Sequence, residues 1–126
     1  MHTLHVELGE RSYPVYIGRQ LLADPALYAD CVGAQVVIVS NETVAPLYVD
    51  RVRAGLGERQ LVTEVVLPDG EQYKTLDTLA TVFDRVLAER HNRGTTFVAV
   101  GGGVVGDITG FAAACYQRGV DFVQVP

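Results

Sequence analysis

Thr95 to Asp107 reads TTFVAVGGGVVGD. An apolar run, Phe97 to Val100, drops into consecutive glycines and then into a helical pattern. Gly101, Gly103 and Gly106 keep the G-x-G-x-x-G spacing at what reads as a strand-to-helix turn. Such a turn lets backbone N–H groups approach a pyrophosphate closely, and the helix start adds partial positive charge. The competing reading is a tight turn with close helix–strand packing and no ligand. The position also departs from the usual dinucleotide fingerprint, which opens the first βαβ unit. Here it follows the third strand of the alternating region, which argues against a standard Rossmann assignment.

Other polar residues stand where they could serve the same ligand. Asp107, read as first-turn helical, either complements the helix dipole or accepts a hydrogen bond from a ribose or amide. Asp69-Gly70-Glu71-Gln72-Tyr73-Lys74 lies between a strand and a helix. It is either a solvated turn that caps the next helix or a ribose-binding loop. In the second case Glu71 accepts from both ribose hydroxyls and repels a 2′-phosphate, favouring NAD over NADP, and Lys74 adds compensating charge. Asn41 is either an N-cap or a contact for the adenosine end. Arg118, before Gly119, reads first as a cation at a helix C-terminus followed by a cap glycine, with anion binding as the second reading.

Several chemistries have no residues to carry them. None of the three histidines, His2, His5 and His91, pairs with carboxylates or cysteines at ligand spacing. His91 reads as a solvated residue at a helix end. No nucleophile elbow and no Walker lysine occurs, so neither hydrolysis nor phosphoryl transfer is expected of this chain unaided.

The elements that must position these residues follow from the hydrophobic rhythm. His2 to Leu8 and Tyr13 to Ile17 alternate around Gly9-Glu10-Arg11-Ser12, the pattern of a β-hairpin. Val36 to Val39 is a continuous apolar run, as in a strand covered on both faces. A helix is expected from Thr43 to Leu56, capped by Ser40-Asn41 and closed by Gly57. Leu61 to Leu67 is β-rich. Thr75 to Arg90 places Leu76, Leu79, Phe83, Val86 and Leu87 on one helical face, with Gly94 beyond its end. Phe97 to Val100, a helix from Val104 to Gln117, and a strand from Phe122 to Val125 complete the alternation. Repeated β-α-β with short connections predicts an α/β fold: a Rossmann-like, mostly parallel sheet flanked by helices, preceded by the hairpin. Ser40 to Thr43, Pro68 to Thr75 and Gly101 to Asp107 then converge at the carboxyl ends of the strands.

The bulk properties suit one globular domain of 126 residues, 48% hydrophobic and 20% charged. With ten Lys plus Arg against fifteen Asp plus Glu, and no basic patch, nucleic acid is an unexpected partner. Cys31 and Cys115 read as free thiols in a reducing compartment. The N-terminus has no signal-peptide pattern and no run reaches membrane-spanning length, so a cytoplasmic location and no membrane partner are expected. The end at Pro126, just after a strand begins, reads as a truncated chain or a separated N-terminal domain.

Three stretches, SNETVAPLY (Ser40 to Tyr48), PDGEQYKTL (Pro68 to Leu76) and VAVGGGVVGDITGFAAACYQRGVDFVQVP (Val98 to Pro126), resemble the 3-dehydroquinate synthases. The likeness covers the whole chain but only the N-terminal nucleotide-binding region of that family. It implies that Gly102, Gly103 and Val104 hold the NAD pyrophosphate through backbone N–H groups, within a cofactor segment that runs on through Val105 and Gly106. Asp107 would contact the nicotinamide side. The loop Asp69, Gly70, Glu71, Gln72, Tyr73 and Lys74 would lie along the cofactor, with Glu71 and Lys74 on the adenosine ribose and Asn41 nearby. Arg118 would reach the phosphate or phosphonate of a sugar phosphate bound by the neighbouring subunit of a homodimer. The implied reaction of the shikimate pathway converts 3-deoxy-arabino-heptulosonate 7-phosphate to 3-dehydroquinate and phosphate, with NAD acting catalytically. The family's divalent metal, zinc or cobalt, and its catalytic residues belong to a later, helical domain, so no catalytic or metal-ligating residue is assigned here. The alternatives are another sugar-phosphate cyclase or a polyol dehydrogenase of the glycerol or iron-type alcohol class. A non-catalytic nucleotide-binding or dimerisation module is the reading from a different class.

Overall fold

A computed structural model describes residues 1–126. β1 (His2–Val6) and β2 (Tyr13–Ile17) pair antiparallel as a separate hairpin around a 3₁₀ turn at Gly9–Arg11. Its register puts Leu4, Val6, Tyr13, Val15 and Ile17 on one face, and that face is largely open to solvent. A short helix, α1 (Pro25–Tyr28), follows; Asp24 caps it by accepting from Ala26 N–H at 3.0 Å. The sequence reading did not include this element.

The body of the chain is β3 (Gln35–Asn41), α2 (Ala45–Leu56), β4 (Leu61–Leu67), α3 (Leu76–Ala88), β5 (Thr95–Val100), α4 (Gly103–Cys115) and β6 (Asp121–Val125). The four strands form one parallel sheet in the order β4-β3-β5-β6. β3 and β5 are central and buried on both faces, as their unbroken apolar runs require. Val37, Val39, Phe97 and Ala99 face a core closed by α3 and α4. Val36, Ile38, Val98 and Val100 face a second core closed by α1 and α2.

This order answers the objection raised by the late position of the glycine turn. The chain leaves β3 toward β4 on one side and returns to place β5 on the other. The carboxyl ends of β3 and β5 therefore flank the point where the winding reverses, where open α/β sheets bind ligands. A glycine turn after β5 stands beside that crevice, as a turn after β3 would.

Helix boundaries differ from the sequence reading in instructive ways. α3 starts as expected, with Thr75 Oγ1 accepting from Thr78 N–H at 3.2 Å. Its buried stripe, however, is Thr78, Leu79, Val82 and Val86; Leu76 is 78% exposed and Leu87 also faces solvent. At about 3.6 residues per turn, Leu76 and Leu87 fall off the arc set by 79, 82 and 86.

The end of α3 holds the larger correction. Arg90 takes a left-handed conformation (φ 60°), its N–H donates to Leu87 O at 3.0 Å, and His91 N–H donates to Val86 O at 3.2 Å. That is the double bond pattern of a Schellman turn, formed without a glycine. It folds His91 back into the protein, where it is only 3% exposed rather than solvated. Thr95 Oγ1 donates to Gln35 Oε1 at 3.1 Å, so it accepts from His91 Nδ1–H at 2.9 Å. Nε2 is then the acceptor for the Thr63 hydroxyl at 2.8 Å. Tyr116 donates to the His91 carbonyl at 2.5 Å. The His91 imidazole thus ties β4 to β5, and its carbonyl holds Tyr116 just past α4, at the end of the sheet opposite the glycine turn.

α4 sits close to β6 because glycines face the strand. A Cβ on Gly106 would lie 2.9 Å from Gln124 Nε2, and one on Gly110 would lie 3.3 Å from the Phe122 ring. The helix ends at Cys115, short of the expected Gln117, and runs into a 3₁₀ turn at Tyr116–Arg118. Gln117 (φ 49°) and Arg118 (φ 67°) are themselves left-handed, and Gly119 (φ 114°) caps this 3₁₀ turn rather than α4.

Burial lowers the His91 pKa from its ordinary 6.5, with nearby Glu89 opposing the shift. The unfolded chain therefore takes up this proton first. Stability held by the neutral ring is complete above about pH 6.5 and is lost as pH falls below it. His91→Leu is expected to cost about 1–3 kcal/mol in urea unfolding at pH 7.5, by leaving the buried Thr63 hydroxyl without an acceptor and removing the donor to Thr95. It should also flatten the loss of stability expected of the unsubstituted protein as pH falls below about 6.5.

Candidate functional site

Three loops meet at the carboxyl end of the sheet, as the order of the strands demands. At the glycine turn, Gly101 has φ 153° and its N–H donates to Val125 O at 3.1 Å. A side chain there would be strained and would press on Val105 at 3.0 Å. Gly102 is the N-cap of α4 and supplies no side-chain cap. The first intrahelical bond is Gly106 N–H to Gly102 O at 2.9 Å. The N–H groups of Gly103, Val104 and Val105 have no acceptor in the chain. Unpaired N–H groups at a helix start, with the partial positive charge they share, make an anion site.

Gly102 and Gly103 give a sharper observation. Neither has a positive φ, and a Cβ built on either meets nothing within 4 Å. The fold itself does not require glycine at these positions. Their bareness leaves open space over the unpaired N–H groups, the space a side chain would fill and a phosphate group could occupy. The residues present therefore fit a dinucleotide pyrophosphate.

The loop between β4 and α3 borders this turn. Gly70 (φ 136°) reverses the chain, and a Cβ there would collide with the Gln72 side chain folded over it. Glu71–Tyr73 then form a 3₁₀ turn. Lys74 Nζ reaches Asp107 Oδ2 at 2.5 Å and Glu71 Oε1 at 3.8 Å. The hydrogen bond to Asp107 is the main cause that pushes the Lys74 ammonium above its ordinary pKa, so Lys74 is a cation throughout the neutral range. Glu71 keeps a carboxylate that is 77% exposed and free to accept from a ligand's hydroxyls. Asp107 is not in the first turn of α4, where it was expected, but one residue beyond it. It answers to Lys74 rather than to the helix dipole. Beside this pair, Thr75, Leu76, Leu79, Ile108 and Phe111 line a mostly apolar groove of about 320 Å³ between α3 and α4.

Asn41 ends β3 on the other side. Its Oδ1 accepts from Thr43 N–H at 3.0 Å and Val44 N–H at 2.8 Å, capping the approach to α2, which starts two residues later than expected. Its Nδ2 donates to Asp69 Oδ1 at 3.3 Å, and Thr43 Oγ1 donates to Asp69 Oδ2 at 2.7 Å. Glu42 Oε1 accepts from Asp69 N–H at 3.3 Å. Ser40 Oγ donates to Val100 O at 2.7 Å, holding β3 to β5 where they begin to part. The sequence places Ser40 to Thr43 at this edge and offers Ser40 as a cap, but it assigns Ser40, Glu42 and Thr43 none of these bonds. Their only signal was a polar run directly after a buried strand.

The structure thus brings Asn41, Asp69 to Lys74 and Gly102 to Asp107 to one edge of the sheet. Arg118 lies beyond the far end of α4, a helix of 13 residues, so it stands roughly 20 Å away in its own chain. No group of three or more His, Cys, Asp or Glu side chains gathers as a metal-ligand set.

Known proteins share this fold. The protein-family model for the 3-dehydroquinate synthase N-terminal region matches residues 64–126. The 3-dehydroquinate synthase of Pseudomonas entomophila is 64% identical over 127 residues, covering 100% of this chain and 34% of that protein. The chain therefore spans about a third of the length of such relatives. Among solved structures, 2-deoxy-scyllo-inosose synthase complexed with carbaglucose-6-phosphate, NAD+ and Co2+ superposes with a TM-score of 0.86 at 29% identity, covering 99% of this chain and 34% of that one. The 2-epi-5-epi-valiolone synthase ValA of Streptomyces hygroscopicus, with NAD+ and Zn2+ bound, has a TM-score of 0.75 at 36% identity, covering 96% and 34%. With the glycine turn, the loop from Asp69 to Lys74 and the strand order in place, this chain belongs to the 3-dehydroquinate synthase family, in its N-terminal part.

Proposed function

We propose that this chain is the NAD-binding part of an enzyme that converts 3-deoxy-arabino-heptulosonate 7-phosphate to 3-dehydroquinate and phosphate, a lyase of the shikimate pathway acting in the cytoplasm. The observation that carries the reading is the pair Gly102 and Gly103, bare for no reason internal to the fold, over N–H groups without acceptors. NAD bound in the two cyclase structures supports the same cofactor here. When bound, NAD supplies a reversible hydride acceptor, which makes a neighbouring C–H acidic enough for phosphate to leave.

The chain's own residues bind and orient. The N–H groups of Gly103 and Val104 hold the pyrophosphate. Glu71 takes the adenosine ribose hydroxyls and would repel a 2′-phosphate. Lys74 keeps Glu71 and Asp107 in place and lowers the local negative charge. Asp107 is left with an oxygen for the nicotinamide side. The residues of this chain gather no ligand set for a divalent metal. Arg118 is too far from its own site to serve it. It has no ion-pair partner in the chain and sits in a strained left-handed pair with Gln117. Its place is against the substrate phosphate of a second subunit in a homodimer.

Several outcomes follow. A protein of the relatives' full length carrying this sequence should release phosphate from the heptulosonate without net NADH. Accumulating NADH with a polyol would show a dehydrogenase instead, and neither activity would leave a binding module. This chain by itself should show no turnover. Gly102→Ala and Gly103→Ala should fold as well as the unsubstituted protein while weakening NAD by about tenfold or more in calorimetry, equivalent to about 1.4 kcal/mol. Unchanged affinity would return the turn to a purely structural role. Glu71→Ala should weaken NAD by about ten- to a hundredfold, through loss of charge-assisted hydrogen bonds worth about 1.5–3 kcal/mol, and should narrow the preference over NADP.

A further inference from the structure

Asp69 stands at the head of the loop that carries Glu71 and Lys74, yet its carboxylate is already spoken for. One oxygen accepts from Asn41 Nδ2 at 3.3 Å and the other from Thr43 Oγ1 at 2.7 Å. Its N–H donates to Glu42 Oε1 at 3.3 Å, and Glu42 N–H donates to Leu67 O at 2.9 Å. Four links therefore join the β3–α2 turn to the start of the β4–α3 loop. Past Asp69 the loop's one side-chain bond to another element is the solvent-exposed Lys74–Asp107 pair. Gly70 is a reversal, Glu71–Tyr73 make a single 3₁₀ turn, and the side chains of Glu71, Gln72 and Tyr73 are open to solvent.

We infer that Thr43 is a positioning residue for the cofactor loop. Its hydroxyl fixes the Asp69 carboxylate, and so sets where Glu71 and Lys74 stand relative to the first turn of α4. Asp69 is the receiving half of this clamp rather than a ligand of the cofactor. The inference rests on the reading of the site as an NAD cradle. Of the four links, the Thr43 hydroxyl makes the shortest, and it comes from a group that can be removed without changing shape. Thr43 is exposed and outside α2, so Thr43→Val leaves both cores untouched. Hydrogen bonds to a carboxylate are the strong ones, and a loop with few other contacts transmits their loss.

The test compares Thr43→Val, Thr43→Ser and Asp69→Asn in the full-length protein. Amide hydrogen exchange without ligand reads the loop, and calorimetry with NAD reads the site. In Thr43→Val, the Tyr73 and Lys74 amides should exchange about fivefold faster, and NAD should bind about three- to tenfold more weakly. The KM for the sugar phosphate should stay within twofold, roughly, of the unsubstituted value. Thr43→Ser should restore both exchange and affinity, and Asp69→Asn should lie between the two. Unchanged exchange in Thr43→Val, or weakened NAD binding that Thr43→Ser does not rescue, overturns the clamp. If the unsubstituted protein itself fails to bind NAD, the cofactor reading falls and takes the clamp's purpose with it. If it binds and Thr43→Val binds equally well, only the clamp falls.

Discussion

Backbone N–H groups at the start of α4 have no acceptor in their own chain, and the arrangement around them is built to keep them so. A side-chain cap at Gly102 would satisfy one of them, and none is supplied. Side chains at Gly102 or Gly103 would cover them. Gly101, strained for any other residue, turns the chain sharply enough out of β5 for the helix to begin at the sheet's edge. Uncapped helix starts are costly unless something outside the chain binds there. The demands of one turn thus account for three successive glycines.

The neighbouring loops are arranged around that turn by strand order. Because β3 lies between β4 and β5, the turn after β3 can be bonded to the loop after β4 while β5 delivers the glycines on its other side. The Asn41–Asp69–Thr43 bonds and the Lys74–Asp107 pair are the two lacings that result. They differ in kind. The first fixes one loop to another through neutral donors on a carboxylate, and the second joins a loop to a helix through opposite charges open to solvent. Salt screens the second far more than the first. The clamp from the turn after β3 therefore holds the loop under salt conditions that weaken the pair.

The opposite end of the sheet is held by a different logic. His91 is buried and neutral, with each ring nitrogen paired to a threonine hydroxyl. The network it centres spans three strands and the end of α4, and it lies remote from the ligand edge. Binding and cohesion are thereby separated along the strands. The carboxyl ends leave polar groups unpaired for a ligand, while the amino ends pair theirs internally.

The sequence by itself determined the α/β alternation, the buried central strands, the hairpin and the glycine turn, because these depend on local periodicity and on where glycine stands. It also carried the family resemblance, since SNETVAPLY, PDGEQYKTL and the glycine segment are contiguous strings. Only the tertiary structure decided that His91 is a buried pin rather than a solvated end. The reason is a left-handed Arg90, and an arginine gives no local sign of adopting that conformation. It alone decided that Asp107 belongs to Lys74, 33 residues earlier, and that Thr43 and Asp69 meet across 26. Such pairings depend on which strands become neighbours, and strand order is a property of the whole sheet that no single segment encodes.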